Sequence, residues 1–285
     1  MIQLVLLCAL LLPVSGTVQA AITHVKTVGT VNAKGASSTT TTFTVGANGA
    51  SAGNNIIIAI VVGFSAGEDT IVPACTDTKG NIYTTDVDFF NQATAATRTA
   101  ICSSRLTTSL TTGDVITVTH ASQPARALSV DEFSGLAATN PLDKTAGGFG
   151  SSLNALSALT ATTTQADELV FGAVGVRGPI TETYTKGASY TALTRDGTTG
   201  ASATGNRTIN PEYKIVSSTG TYAADGTLGT STAWIAVVAT YKAATTSSTC
   251  TVTNTNDSGA GSLRQCITTA NSTPGTTIAF NIPGP

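Results

Sequence analysis

The strongest candidate for catalysis is a serine in a G-x-S-x-G pattern, which spans Gly63 to Gly67. In α/β hydrolases this serine lies on a sharp turn between a strand and a helix. The residues that follow Ser65, Glu68 to Pro73, are instead typical of a turn and a strand. His120 could supply a base and Asp131 could orient it, but the sequence does not place the three together. We therefore favour a turn over a nucleophile at Ser65.

Short polar side chains around a predicted hairpin are candidate calcium ligands. These residues are Asp77, Asn81, Asp86 and Asp88. Calcium prefers oxygen ligands of this kind, but their spacing is not that of an EF-hand loop. Turns and solvent-facing positions need the same residue types. We expect turn and surface roles for all four, with calcium as the alternative, and no other cofactor.

The adjacent carboxylates Asp131 and Glu132 are a poor acid and base pair. Neighbouring residues of a strand point to opposite faces of the sheet, so both groups cannot reach one substrate atom. The sequence supports no glycosidase mechanism here. We accordingly assign no catalytic and no cofactor-binding residue.

The first 20 residues have the pattern of a signal peptide. Leu4 to Leu12 are apolar, Pro13 and Gly16 break the run, and Val18 to Ala20 form a small-residue cleavage pattern. The run is shorter than the roughly 20 residues that cross a bilayer. We expect cleavage after Ala20, secretion or display on the outer cell surface, and no transmembrane span in the mature chain.

Four cysteines follow the signal peptide: Cys75, Cys102, Cys250 and Cys266. An even number of cysteines in an exported chain indicates disulfides. Three pairings are possible, and sequence proximity favours Cys75 with Cys102 and Cys250 with Cys266. Zinc is the alternative, but the chain has no C-x-x-C and neither histidine lies near a cysteine in the sequence.

Composition favours a protein with its own core and argues against nucleic acid as a partner. Hydrophobic residues make up 41% of the chain, enough to build a core. Charged residues make up 11%, and the formal net charge is -2. The basic surface that holds a phosphate backbone is therefore missing.

From Ile22 to Lys242, short β-rich runs alternate with Gly, Asn, Asp and Ser turns, which predicts an all-β domain. Asn55–Val62 and Ala233–Tyr241 are almost continuously apolar, as strands covered on both faces are. The spacing predicts a two-sheet antiparallel β-sandwich with jelly-roll topology. The predicted strands are Thr39–Val45, Asn55–Val62, Ile82–Phe89, Arg98–Leu106, Asp114–His120, Ala127–Phe133, Glu168–Val176, Tyr213–Ser217 and Ala233–Tyr241.

Changes in composition divide the chain into residues 1–20 as signal peptide, 21–242 as β-sandwich, 243–249 as linker and 250–285 as a final segment. We expect this segment to begin as a strand at Cys250. Ser262 would cap a short helix that carries Leu263, Ile267 and Ala270 on one face. Thr277 to Ile282 would form a second strand.

The final segment resembles the N-terminal cap of right-handed parallel β-helix domains in bacterial surface and autotransported proteins, including the polymorphic outer-membrane type. The matching residues are Thr253 to Gln265, Ala270-Asn271, Pro274-Gly275 and Thr277 to Gly284. Cys266 departs from the pattern, because alanine is commoner there. A solenoid needs several stacked repeats to bury its core. The resemblance therefore implies a truncated β-helix and a longer parent protein.

Residues 22–242 are also similar to an uncharacterised β-sandwich module of secreted bacterial multidomain proteins. The similarity rests on Val130–Leu136, Pro141–Asp143, Asp167–Val176, Glu212–Ser217 and Ala233–Val238. It implies no catalytic residues.

These observations favour a non-catalytic secreted or cell-surface module with an adhesion, ligand-binding or structural role, at the N-terminus of a longer extracellular protein. The expected partner is an extracellular glycan or a cell-surface protein. The alternative is an extracellular carbohydrate-active enzyme or its carbohydrate-binding accessory domain.

Overall fold

A computed structural model of the chain describes residues 20–91, 96–200, 202–245, 249–272 and 276–283. The predicted signal peptide lies outside these residues, apart from Ala20. The chain divides into two compact units, of which the larger is Ala21–Ala244 and the other includes the residues from Thr245 onward. Within the described ranges, no helix is both long and apolar enough to cross a membrane.

The first half of the larger unit forms one antiparallel sheet, here called sheet one. Its strand order is β1-β6-β2-β5-β4, and β3 pairs with β6. The central strand β2 is buried along its whole length, as its continuous apolar run predicted. The strands are β1 Thr23–Thr44, β2 Asn55–Gly63, β3 Ala74–Asp77, β4 Thr84–Asn91, β5 Thr97–Arg105 and β6 Val115–Ser134.

The second half of the larger unit forms a second antiparallel sheet, sheet two. Its order is β10-β12-β8-β13-β7, with β11 on β12 and β9 on β13. A 3-10 helix spans Ala203–Gly205. The strands are β7 Leu142–Leu156, β8 Asp167–Val176, β9 Tyr184–Lys186, β10 Thr191–Ala192, β11 Asp196–Gly197, β12 Thr208–Ser217 and β13 Asp225–Lys242.

The two sheets pack face to face, so the predicted all-β sandwich is confirmed. Ile57 and Val61 of β2 share a buried cluster with Phe171 of β8 and with Ile235 and Val237 of β13. Successive residues of a strand point to opposite faces, and the other face of β2 is covered as well. There the far end of the β1–β6 ribbon and β3 bury Ile56, Ile58, Ile60 and Val62.

The predicted jelly-roll topology is wrong. A jelly roll has two Greek keys, whose long connections carry the chain back and forth between its sheets. Here β1 to β6 make one sheet and β7 to β13 make the other. The predicted strands Asp114–His120 and Ala127–Phe133 fall, apart from Asp114, within one strand, β6, which continues through Pro124. Five strands of the larger unit were not predicted: β3, β7 and the short strands β9, β10 and β11.

The smaller unit contains a parallel pair of strands joined through a helix. β14 Thr249–Val252 pairs with β15 Thr277–Phe280, and α1 Leu263–Ser272 lies between them in sequence. Ser262 Oγ accepts a hydrogen bond of 3.2 Å from the Gln265 amide and caps the helix. Gln265 Oε1 in return accepts one of 2.7 Å from the Gly261 amide. The β-helix interpretation of this unit stays a prediction.

Both disulfides pair the cysteines that are closest in sequence. Cys75–Cys102 joins β3 to β5, with Cα atoms 6.4 Å apart. Cys250–Cys266 joins β14 to α1, with Cα atoms 5.3 Å apart. Both separations lie in the usual range for disulfides.

Candidate functional site

A cleft of about 470 Å³ lies where the edge strands of the two sheets meet, and we call it the edge cleft. It is formed by β4, by the end of β5 and by the segment that leads into β7. Because β4 and β7 are the last strands of their sheets on this side, neither is covered by a further strand. The lining residues are Ile82, Thr84, Thr85, Asp86, Ser103, Ser104, Arg105, Asn140, Pro141 and Leu142.

A β-bulge places Asp86 in the edge cleft. The register of β4 against β5 shifts between Thr85 and Val87, which leaves Asp86 without a partner in the ladder. Bulges re-aim side chains in this way. Asp86 Oδ1 accepts a 2.8 Å hydrogen bond from Thr84 Oγ1, and Oδ2 accepts one of 2.6 Å from the Tyr241 hydroxyl. Burial raises the pKa of Asp86, although hydrogen bonds from Ser103, Tyr241 and Thr84 oppose the rise.

Two neighbouring residues at the end of β5 add polar groups that lack protein partners. Ser104 is 3% exposed, and its buried hydroxyl has no hydrogen-bond partner among the described residues. Buried polar groups are nearly always hydrogen-bonded to protein, water or a ligand. No hydrogen bond or ion pair joins the Arg105 guanidinium to another residue in the described ranges. The two side chains point to opposite faces of β5. Ser104 shares the face of Cys102, whereas Arg105 shares the face of Ile101, towards the second sheet. Of the two, it is therefore the Arg105 guanidinium that can pair with a ligand in the edge cleft.

The edge cleft also has an apolar rim. Ile82 is 80% exposed and borders the cleft together with Pro141 and Leu142. A few placed polar groups within an apolar surround are typical of small-molecule sites. The arrangement can hydrogen-bond a hydroxyl-rich ligand and pack against its C–H groups.

Among the proposed calcium ligands, Asp77 and Asn81 meet and stabilise a turn. Asp77 accepts hydrogen bonds from the amides of Lys79, at 2.8 Å, and Asn81, at 3.2 Å. Asn81 Nδ2 also donates to Asp77 Oδ2, at 2.8 Å. Asn81 Oδ1 accepts from the Thr107 amide at 2.9 Å, so its oxygen is already engaged.

Asp88 and Asp86 lie elsewhere. Asp88 pairs with Arg98, whereas Asp86 lines the edge cleft. The four residues therefore do not converge on one site, and calcium binding stays a prediction. Within the described ranges, no three His, Cys, Asp or Glu side chains are grouped to hold a metal. The sequence placed these residues near one hairpin but could not show which donors each would meet.

The G-x-S-x-G segment forms a turn. Residues 64–73 contain no helix, and the Ser65 amide donates to Glu68 Oε2 at 2.8 Å. Ser65 Oγ accepts a hydrogen bond of 3.1 Å from Gln123 Nε2. The preference for a turn at this position therefore agrees with the local structure.

The base and the orienting acid considered with Ser65 have other partners. His120 is buried, with Nε2 2.8 Å from Thr41 Oγ1 and Nδ1 2.7 Å from Ala121 O. Asp131 contacts His24 Nε2 at 3.2 Å and accepts from Thr27 Oγ1 at 2.6 Å. The structure does not bring the three residues together as a triad.

Asp131 and Glu132 lie on opposite faces of β6, as strand geometry predicted. Asp131 bonds to residues of β1. Glu132 Oε1 accepts from the Ser51 amide at 2.8 Å and from Asn54 Nδ2 at 2.7 Å, in the loop before β2. Both carboxylates are completely buried and serve to hold neighbouring segments.

Sequence reasoning singled out Asp86 but missed Ser104, Arg105 and Asn140. The available signal was the switch from the apolar residues of β5 to Ser103-Ser104-Arg105 at its end. The pairing of β4 with β5 then fixes which residues share one end of the sheet, and that pairing is long-range information.

No protein-family model, no curated protein and no solved structure matches the chain.

Proposed function

We propose that the chain is a non-catalytic module of an extracellular protein and that it binds a hydroxyl-rich ligand, a glycan, in the edge cleft. The observation that carries this proposal is the Arg105 guanidinium, which belongs to a residue of the cleft lining and has no hydrogen-bond or ion-pair partner among the described residues. It supplies several donors for the oxygens of a ligand.

The cleft is better suited to binding than to hydrolysis. Glycoside hydrolysis uses two carboxyl groups that flank the scissile bond. Asp86 is the only carboxylate among the lining residues, and its Oδ2 already accepts a hydrogen bond from Tyr241. This supports a binding role over the alternative of a carbohydrate-active enzyme.

The extracellular setting belongs to the same proposal. Two disulfides fit an oxidising compartment, and the first 20 residues have the signal-peptide pattern. The strand–helix–strand order of the smaller unit fits the start of a β-helix. We therefore propose that the module stands at the N-terminal side of a longer surface or secreted protein. Mass spectrometry of the exported chain should find Ala21 at its N-terminus, and an uncleaved exported chain would contradict this part.

The binding proposal is tested with an array of neutral oligosaccharides, followed by calorimetry on any glycan that binds. Arg105→Gln should weaken binding by about tenfold or more, since hydrogen bonds to charged groups contribute about 1.5–3 kcal/mol. Ser104→Ala should leave binding unchanged, because the Ser104 hydroxyl points to the other face of β5, the face of Cys102. Lys79→Gln, in an exposed turn, is the charge-matched control.

Three results would contradict the proposal. The first is an array without any bound glycan, including the case in which a cell-surface protein binds instead. The second is unchanged affinity in Arg105→Gln. The third is release of reducing sugar ends from a bound oligosaccharide, which would favour the enzyme.

A further inference from the structure

A second, smaller cavity of about 260 Å³ lies against the end of β12 in sheet two, and we call it the Tyr184 pocket. It lies between Asn210 and Pro211 of β12 and the segment that carries β9 and β10. The lining residues that matter for binding are Tyr184, Lys186, Arg195 and Asn210.

The alternation of β12 explains why polar groups lie beneath this pocket. Ile209 and Tyr213 belong to the core between the two sheets. Asn210 and Glu212, which alternate with residues of that face along the strand, therefore point to the outer face. On that face Asn210 and Glu212 are buried, so both need hydrogen-bond partners.

In the side-chain amide of Asn210, the nitrogen is hydrogen-bonded and the oxygen is not. Its Nδ2 donates a 3.0 Å hydrogen bond to the Val174 carbonyl, which can only accept, so the orientation of the amide is fixed. The Oδ1 atom is buried and has no partner among the described residues, in a residue that is 1% exposed. An acceptor of this kind needs a donor from a ligand or from water.

Arg195 presents a donor in the same pocket. Its Nη2 donates to the Glu182 carbonyl at 2.7 Å, and its guanidinium lies 6.0 Å from the centre of the Tyr184 ring. Its Nε is buried without a partner in the described part of the chain. Burial lowers the pKa of Arg195, and the neighbouring Tyr184 and Glu182 oppose this fall. The cation is thus partly desolvated.

The nearby carboxylates have other partners. Glu182 accepts hydrogen bonds from Thr230, at 2.6 Å from its amide and 2.8 Å from its hydroxyl. Glu212 accepts from the amides of Gly187, at 3.0 Å, and Asp225, at 3.2 Å. No carboxylate is among the residues that line the pocket, whereas two cationic residues, Lys186 and Arg195, are.

We propose that the Tyr184 pocket binds the carboxylate of a small hydroxy acid, in particular a single acidic sugar unit. Arg195 Nε and the Lys186 ammonium donate to the carboxylate. Asn210 Oδ1 accepts a hydrogen bond from a neighbouring hydroxyl, and the Tyr184 ring offers an apolar face to the C–H groups. The donor and acceptor thus recognise two different groups of one ligand.

The size of the pocket limits the ligand to one unit. Sites for drug-sized molecules measure roughly 300–1,000 Å³, and this cavity is smaller, at about 260 Å³. This inference does not depend on the glycan proposed for the edge cleft, because the two cavities share no lining residue.

The test uses the whole chain with D-glucuronate, D-glucose and acetate as separate probes, followed by calorimetry and by NMR of the asparagine side-chain amides. Glucuronate should bind at least tenfold more tightly than glucose and shift the Asn210 Nδ2 resonance. Acetate should bind more weakly than glucuronate, because it lacks the hydroxyl. Raising the NaCl concentration should weaken glucuronate binding.

Arg195→Gln and Lys186→Gln should each reduce glucuronate affinity by about tenfold, as expected for charge-assisted hydrogen bonds. Lys79→Gln changes the net charge equally, does not line the pocket and should bind like the unchanged protein. Lys186→Gln keeps the test valid should Arg195→Gln fail to fold. Equal affinity for glucuronate and glucose would overturn the proposal, and so would an unmoved Asn210 resonance.

Discussion

The Tyr241 hydroxyl lies 2.6 Å from Asp86 Oδ2 and joins β13 of sheet two to the bulge in β4 of sheet one. Tyr241 is completely buried in the core between the sheets. Burial, with the neighbouring Asp86 charge, raises the pKa of Tyr241 well above its ordinary value. The hydroxyl therefore stays protonated and donates to the carboxylate, which fixes Asp86 at the edge cleft.

Tyr241→Phe should lower the free energy of unfolding by about 1–3 kcal/mol at pH 7, the usual effect of leaving a buried polar group without its donor. The loss should be smaller at pH 4, where more Asp86 is protonated. Urea unfolding at both pH values measures the difference. Tyr222→Phe removes a 2.6 Å bond from an exposed tyrosine hydroxyl to Ser218 O and is the matched control. An equal loss at both pH values would count against the role of Asp86.

Glu212→Gln should remove part of the pH dependence of stability. Burial raises the pKa of Glu212 to about 7, with hydrogen bonds from Gly187 and Asp225 opposing the rise. The folded state therefore holds this proton over a range in which the unfolded chain has lost it. Stability from this group is present below the ordinary pKa of a glutamate and is lost as the pH rises to about 7.

The loss corresponds to on the order of 3 kcal/mol for a shift of this size. Chemical denaturation from pH 4 to pH 8 should show a flatter stability profile for Glu212→Gln than for the unchanged chain. Asp257→Asn, at a side chain that is 86% exposed, controls for the change in charge. Superimposable profiles for Glu212→Gln and the unchanged chain would contradict the prediction.

Arg98→Lys should destabilise the turn that follows β2, although the charge is conserved. The Arg98 guanidinium pairs with Asp88 and donates to Glu68 O at 2.9 Å and to Asp69 O at 3.2 Å. It also lies 4.8 Å from the centre of the Phe90 ring. A lysine cannot make this planar set of contacts.

We expect a loss of about 1–3 kcal/mol, as for leaving buried acceptors without their donors. The Glu68–Pro73 turn should also become more sensitive to proteolysis, which peptide mapping would detect. Arg264→Lys, at a side chain that is 66% exposed, is the control for arginine-to-lysine exchange. Unchanged stability in Arg98→Lys would show that the guanidinium contacts contribute little.

Replacing Cys75 and Cys102 together by alanine should lower the free energy of unfolding by about 3–4 kcal/mol. The two cysteines are 27 residues apart, and the chain-entropy model assigns about this value to a loop of that length. Denaturation of the variant and of the oxidised chain provides the measurement. Mass spectrometry of peptides under non-reducing conditions verifies the pairing, and a Cys75–Cys266 peptide would contradict it.

The sequence predicted the buried strands well because apolar runs are a direct signal of burial. All of Asn55–Val62 lies in β2, and all of Ala233–Tyr241 lies in β13. β7 was not predicted because it contains Gly147, Gly148 and Gly150, and glycine disfavours strands. These glycines are required by packing. A Cβ at Gly150 would lie 2.4 Å from a Trp234 ring atom, and one at Gly147 would lie 2.5 Å from Phe89.

The sequence alone does not predict which sheet each strand joins, nor that the edge cleft forms. Which strands pair depends on contacts between distant residues, such as β1 with β6. The sequence identified Asp86 as a polar residue near a turn. Its position in a β-bulge and its hydrogen bond to Tyr241 depend on β5 and β13. Unpartnered groups such as Ser104 Oγ become visible only in the folded chain.

The consecutive placement of β1 to β6 and then β7 to β13 has a consequence for biogenesis. A chain that emerges N-terminus first can complete the hydrogen bonding of sheet one once Ser134 is available, before any strand of the other half exists. Its inner surface, with Ile57 and Val61, then remains uncovered until β8 and β13 arrive. The interval between the two halves is therefore the period in which a nascent chain is most exposed to aggregation.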